Sequence, residues 1–259
     1  MSGGRLRVAA VQHDIVWADR EANFERLAPQ VAAAAGTGAG LVVLSETFST
    51  GFAVGDDGLA EPEGGPSSRF LAAMAREHGV WVAGSCPEHP VDDPDPRPFN
   101  TLVLAGPDGT EHRYRKIHPF TYAGEDRWFR AGDERVIVEI DGVRVAPFVC
   151  YDLRFADEMW ALADDTDLYL FPANWPASRR VHWQALLQAR AIENQAYVVG
   201  VNRVGEGGGL SYCGDSRIVD PLGELLATAA GGESLLVADV DTAVVAEVRE
   251  HFPFLRDRR

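Results

Sequence analysis

The sequence predicts a layered α/β sandwich, and three observations carry that expectation. Apolar runs of strand length recur along the whole chain, amphipathic helical patterns lie between several of them, and Asp-Gly turns join others into hairpins. The strand-like runs fall at residues 6–11, 41–44, 80–83, 101–104, 136–140, 143–149, 168–171 and 197–201. Several are nearly continuous, as strands covered on both faces are. The helical patterns lie at 23–35, with Phe24, Leu27 and Val31 on one face; at 67–78, with Phe70, Leu71 and Met74; and at 179–195, with Val181, Leu186, Ala189 and Ile192. Pro29, inside the first, is expected to kink it. Asp108-Gly109 and Asp141-Gly142 read as tight turns because both residue types tolerate positive φ, and Pro221-Leu222-Gly223 reads as a third. Helices early, then hairpins among them, imply a mixed sheet or two sheets with helices outside.

Composition bounds the rest. With 259 residues, 46% hydrophobic and 24% charged, the chain has material for a sizeable core. The segment 87–98 is rich in proline and aspartate but composition does not change across it, so it reads as a surface loop within one domain spanning 1–259. The net charge of −15 opposes binding to nucleic acid and to anionic membranes. The longest apolar stretches fall far short of the roughly 18 residues of a membrane span. The opening MSGGRLRVAAVQ lacks the apolar core of a secretory signal, so export is not expected. Three widely spaced cysteines, Cys86, Cys150 and Cys213, suit neither zinc nor dithiol chemistry and fit a reducing cytoplasm.

Three segments end an apolar or alternating strand on a chemically useful residue. In LVVLSETF, Glu46 emerges two positions past the strand, either as a surface acid or as a site carboxylate. In RVAPFVCYDLRF, Cys150 sits between a strand and a helical pattern beginning near Asp157. It is either a buried inert thiol or a nucleophile on an elbow that turns the next backbone N–H, that of Tyr151, towards an oxyanion. In EHRYRKIHPF, alternation ends at Lys116, a surface charge or a site cation, and His118 follows as a possible partner for a Cys-His pair. Asp152 and Arg154 read as a pair bracing the elbow or the following helix, and Glu193 as a packed, paired acid. The glycines of GEGGGL lack the following helix and GK[ST] ending of a phosphate cradle.

LSETF, YRKIH and VCYDLRF, continued by QARAIENQAYVVGVNRVG and GDSRIVDPLGE, resemble the signatures of the nitrilase superfamily of carbon–nitrogen hydrolases. The resemblance implies a four-layer α-β-β-α sandwich without metal or cofactor. It implies Glu46 as general base, Lys116 as the cation at the tetrahedral intermediate, Cys150 as nucleophile, and Glu125, seven residues before Gly132, as a second glutamate orienting substrate and water; an exposed loop acid is the other reading of Glu125. Ala156 departs from the proline usual after CYDxRF. SETFSTGF, CYDLRF and PANWPASR look most like the omega-amidases, which act on the terminal amide of 2-oxoglutaramate or 2-oxosuccinamate.

For an anionic amide the substrate-binding candidates are Phe120, Asn174, Trp175 as an apolar wall, and Arg179 or Arg180 as a carboxylate fork. The rivals are an N-carbamoyl amino acid hydrolase of the same superfamily, a scaffold with the same fold but no turnover, and a thiol peroxidase, the last disfavoured because no resolving cysteine lies near Cys150. The resemblance also implies a homodimer, with Phe155, Met159, Trp160 and Leu162 as apolar contacts; a helix that only covers the sheet is the other reading of these residues.

Overall fold

A computed structural model describes residues 3–56 and 58–258. In chain order the strands are β1 (Arg5–Gln12), β2 (Leu41–Val43), β3 (Glu61–Pro62), β4 (Trp81–His89), β5 (Phe99–Ala105), β6 (Glu111–Arg115), β7 (Val138–Ile140), β8 (Val143–Pro147), β9 (Leu168–Ala173), β10 (Tyr197–Asn202), β11 (Val204–Gly207), β12 (Leu210–Val219), β13 (Leu225–Ala230) and β14 (Ser234–Asp241). The helices are α1 (Arg20–Ala35), α2 (Pro66–His78), α3 (Glu125–Trp128), α4 (Ala156–Trp160), α5 (Arg180–Asn194) and α6 (Thr242–His251).

The strands form two sheets of like design. One runs β14-β1-β2-β4-β5-β6 with β3 added to β4, and the other β11-β12-β10-β9-β8-β7 with β13 added to β12. Each has parallel strands at its centre (β1, β2 and β4; β8, β9 and β10) and antiparallel strands at its flanks.

Period-two alternation assigns the layers. In β1, Leu6, Val8 and Ala10 face the second sheet, where Val145, Leu168 and Leu170 join them in one apolar core. Ala9 and Val11 face the other way, with Val42, Leu44 and Val82, against Leu27 and Val31 of α1 and Leu71 and Met74 of α2. Trp183, Leu187 and Ala191 of α5 cover the outer side of the second sheet. Helix, sheet, sheet and helix make the expected four layers.

Local chemistry sets the element ends. Asp19 caps α1 by accepting from the Ala22 N–H at 3.1 Å. Pro66 opens α2, where its missing N–H costs nothing, and Gly79 closes it at φ 67°. The turns Asp141-Gly142 and Gly208-Gly209 each have two positive φ values, so the glycines of GEGGGL serve a two-residue hairpin.

Helix α1 runs continuously through Pro29, which lies on its exposed side. Three expectations need correction. The buried face of α5 is Trp183, Leu187 and Ala191, whereas Val181 and Ile192 are exposed. Gly200 of β10 explains this, because a methyl there would collide with Leu187 and Trp183; the helix settles where the strand has no side chain. Strand β4 continues through Pro87 to His89, so the surface loop starts only after it. The buried Glu88 is tolerated there because Ser68 and Arg113 donate to it at 2.9 and 3.0 Å. Finally, Met159 is fully buried, leaving Phe155, which stacks on His118, with Trp160 and Leu162 as the partly exposed members of the apolar set offered for pairing. Ala156 stands at the first position of α4, where proline is tolerated but not required. Among the described residues no helix is long and apolar enough to cross a membrane.

Candidate active site

Parallel central strands in both sheets leave their carboxyl ends on a common edge, the usual place for a site in an open α/β sheet. Glu46 follows β2, Lys116 follows β6, Cys150 follows β8 and Asn174 follows β9. Lys116 lies between two carboxylates, its Nζ 3.0 Å from Glu46 Oε1 and 2.9 Å from Glu125 Oε2. Glu46, Lys116 and Glu125 are essentially inaccessible to solvent.

Glu125 reaches this depth because the loop that carries it is closed at its base, where the Gly132 N–H donates to the Lys116 carbonyl at 2.8 Å. A side chain at Gly132 would collide with the Arg115 carbonyl. The Phe120 N–H then donates to Glu125 Oε2. Asn100, at the start of β5, spans the two acids with Nδ2 at 2.9 Å from Glu46 and 3.3 Å from Glu125. Sequence reasoning missed it; its one signal is a polar residue opening an otherwise apolar strand.

Asn174 is a support of Glu46. Its backbone N–H donates to Oε2 at 2.8 Å, and its side chain donates to the Glu46 carbonyl at 2.7 Å and to Thr47 Oγ1 at 2.9 Å. Behind Glu46, the buried His13 contacts Ser45 Oγ at 2.9 Å, and burial pulls the His13 pKa down to about 4, so this imidazole is neutral near pH 7.

Cys150 has φ 46°, an uncommon conformation for a residue with a side chain. Asp152 supports the elbow, accepting from Val149 N–H at 3.0 Å, from Tyr114 Oη at 2.7 Å and from His118 N–H at 2.8 Å. This is the bracing role expected of it, although Arg154 is not its partner. Tyr151 lies in the first turn of the 3-10 helix Cys150–Arg154, where leading N–H groups have no partner inside the helix.

The charges explain one another. Burial lowers the Lys116 pKa, but the charges of Glu125 and then Glu46 outweigh it and hold its pKa above the ordinary lysine value. Burial raises the Glu125 pKa, the Lys116 charge opposes this, and Glu46 adds to it, so the net shift is upward. Burial, then the neighbouring Glu46 charge, pushes the Cys150 thiol well up, with Lys116 opposing. The resting sulfur is therefore a thiol, and it becomes a nucleophile only if a neighbour removes its proton. Glu46 is the carboxylate in place to do so.

Above Cys150 opens a narrow cavity of about 50 Å³. Phe120, Tyr151, Trp175 and Tyr212 wall it, with Arg154 and Arg179 on its rim. Trp175 is held by Nε1 donating to the Arg179 carbonyl at 2.9 Å. The Arg179 guanidinium stands 5.4 Å from the Phe120 ring centroid, and Arg154 4.7 Å from that of Trp175, with Arg154 Nη2 also 3.2 Å from His182 Nδ1. Arg180 does not join them: it makes a two-point pair with Asp215 at 3.0 and 2.8 Å, away from the cavity. Arg154, expected as a brace, takes its place on the wall. His118 is turned away as well, bonded to Asp152 at 3.1 Å and stacked on Phe155. Glu193 pairs with Arg190 at 2.8 Å, as expected.

A thiol, a carboxylate beside it and a buried ammonium meet at the carboxyl ends of strands from the two facing sheets. The carbon-nitrogen hydrolase family model matches residues 7–250, and the chain belongs to that family. It is 41% identical over 257 residues to the omega-amidase YafV of Escherichia coli (strain K12), covering 97% of this chain and 96% of that protein. It is 36% identical to the 2-oxoglutaramate amidase of Bacillus subtilis, covering 85% of each. The crystal structure of XC1258 from Xanthomonas campestris, a CN-hydrolase superfamily protein with an arsenic adduct in its active site, superposes with TM-score 0.92 at 36% identity, covering 100% of this chain and 98% of that one.

Proposed function

We propose that the chain is an omega-amidase, releasing ammonia from the terminal amide of a small 2-oxo dicarboxylic acid monoamide such as 2-oxoglutaramate or 2-oxosuccinamate. The observation that carries the reading is Glu46 lying beside both the Cys150 thiol and the Lys116 ammonium in a chain whose near-full-length relatives bear omega-amidase names.

The chemistry follows from the contacts. Glu46 takes the Cys150 proton as sulfur attacks the amide carbon, and Lys116 with the Tyr151 N–H holds the oxygen that becomes negative. The proton passes from Glu46 to the departing nitrogen, the C–N bond breaks, and ammonia leaves a thioester on Cys150. Water then attacks the thioester as Glu46 takes its proton, returning acid and thiol. Glu125 and Asn100 fix Lys116 and Glu46, and Glu125 stands where it orients substrate and water. Arg179, on the rim opposite this centre, carries the substrate carboxylate, and Arg154 adds a second positive charge. The two supply locally what a chain of net charge −15 denies globally.

The same proposal takes residues 1–259 as one hydrolase domain, placed in the cytoplasm and paired as a homodimer. Sedimentation at micromolar concentration checks the pairing, a monomer mass counting against it. Ammonia release from 2-oxoglutaramate, glutamine and an N-carbamoyl amino acid, measured side by side, tests the activity. The expected result is turnover of the first far above the other two. Preference for the carbamoyl compound would make the chain a carbamoylase, and turnover of none would leave a scaffold.

A further inference from the structure

We propose that the hydroxyl of Tyr212 hydrogen-bonds the 2-oxo oxygen of the substrate and thereby selects 2-oxo acid amides over amides that lack this group. The proposal rests on the omega-amidase reading and adds a specificity residue to it.

Tyr212 lies on β12 just after the Gly208-Gly209 turn, and only 6% of its surface is exposed. Its ring is seated on the guanidinium of Arg203, 4.6 Å from the ring centroid. Arg203 is fully buried and anchored to Asp14 at 2.9 Å, to the Ile15 carbonyl at 3.2 Å and to the Glu206 carbonyl at 3.0 Å. The ring is therefore fixed from behind. The other end is different. Buried Tyr114 and Tyr169 each donate their hydroxyl, at 2.7 Å to Asp152 and 2.9 Å to the Met159 carbonyl. The Tyr212 hydroxyl has no partner among the described residues, although the side chain lines the cavity over Cys150. A hydroxyl on a cavity wall that makes no hydrogen bond within the protein keeps its donor for a ligand that enters the cavity.

The ligand's chemistry follows from what surrounds this phenol. Burial is the main influence on it, followed by the charges of Arg203, Glu46, Cys150 and Arg179, and its pKa is pushed up to about 12. The group is thus a permanent donor at physiological pH, on the wall of the cavity that Cys150, Glu46 and Arg179 also line. In 2-oxoglutaramate the only polar group between the amide carbon and the carboxylate is the 2-oxo oxygen, an acceptor. An amino acid amide would put an ammonium there instead. That ammonium would face Arg203 behind the ring and Arg154 and Arg179 on the rim, while the one carboxylate on the cavity wall, Glu46, is committed to Lys116, Asn100 and Asn174.

Tyr212→Phe keeps the ring and its seat on Arg203, and it breaks no hydrogen bond within the protein, so an unchanged melting temperature is expected and checks the fold. The variant and the wild type are compared on 2-oxoglutaramate and on glutarate monoamide, which lacks the oxo group. The expected result is a loss of about ten- to hundredfold in kcat/KM on 2-oxoglutaramate, with the monoamide changed by less than about twofold, so that the wild-type preference collapses. Equal loss on both substrates would assign Tyr212 to the reaction centre and overturn the proposal; so would no loss on either. Wild-type enzyme inactive on 2-oxoglutaramate would instead overturn the omega-amidase reading and this proposal with it.

Discussion

The floor and the rim of the cavity are built on opposite principles. On the floor, every charge already has its partner: Lys116 has two carboxylates, Glu46 has Lys116, Asn100 and the Asn174 N–H, and Glu125 has Lys116 and the Phe120 N–H. Removing one member of such a set strands the others in a dry interior, which costs about 3–5 kcal/mol for a buried pair. On the rim, Arg154 and Arg179 lie over aromatic rings and have no acidic partner among the described residues. The floor is arranged before substrate arrives, as electrostatic stabilisation of a transition state demands. The rim awaits a charge from outside. The proposed function assigns kcat to side chains of the first kind and KM to those of the second.

The sharpest way to break this comparison is on the floor. Glu46→Gln keeps the shape of the side chain but removes its basicity, and a loss of roughly a thousandfold in kcat is expected. His118→Ala should keep turnover within about tenfold, because the imidazole serves Asp152 and Phe155 rather than the sulfur. Steady-state rates of the two variants decide between them, and a dead His118 variant beside an active Glu46 variant would replace the carboxylate base with a Cys-His pair.

A smaller effect separates the two neighbouring arginines. Arg179→Ala should raise KM for 2-oxoglutaramate about tenfold or more while sparing an uncharged amide, as the loss of a charge-assisted contact does. Arg180→Ala should leave both constants unchanged, since its guanidinium is spent on Asp215. A KM effect at Arg180 and none at Arg179 would reverse the assignment of the rim.

Strand-end placement explains why the floor was legible in the sequence. Glu46, Lys116 and Cys150 each follow a run whose apolar or alternating pattern announces a strand, which makes them candidates; the resemblance to the nitrilase signatures implies their roles, and strands of both sheets bring them together. The rim was less legible because it depends on side-chain direction. Arg179 and Arg180 are adjacent in the chain and alike in chemistry, yet helix α5 begins between them and sends one to the cavity and the other to Asp215. Arg154 reads as a brace in sequence because Asp152 stands two residues away. In the folded chain Asp152 is occupied by backbone N–H groups and Tyr114, which leaves the arginine free to reach Trp175. The misread face of α5 has a similar origin, since the decisive feature was Gly200 on another strand. Asn100 offers only a polar residue near the start of a largely apolar strand, Tyr212 offers no local pattern, and both are recognised by what surrounds them.

The central claim is that an acyl group passes through Cys150. Acid-quenching the enzyme during turnover of 2-oxoglutaramate and measuring intact and peptide masses tests it directly. The expected result is a 2-oxoglutaryl thioester on the peptide containing Cys150, removed by hydroxylamine and absent in Cys150→Ala, which should release no ammonia above background. Undiminished ammonia release by Cys150→Ala, or an acyl group found on a residue other than Cys150, would contradict it.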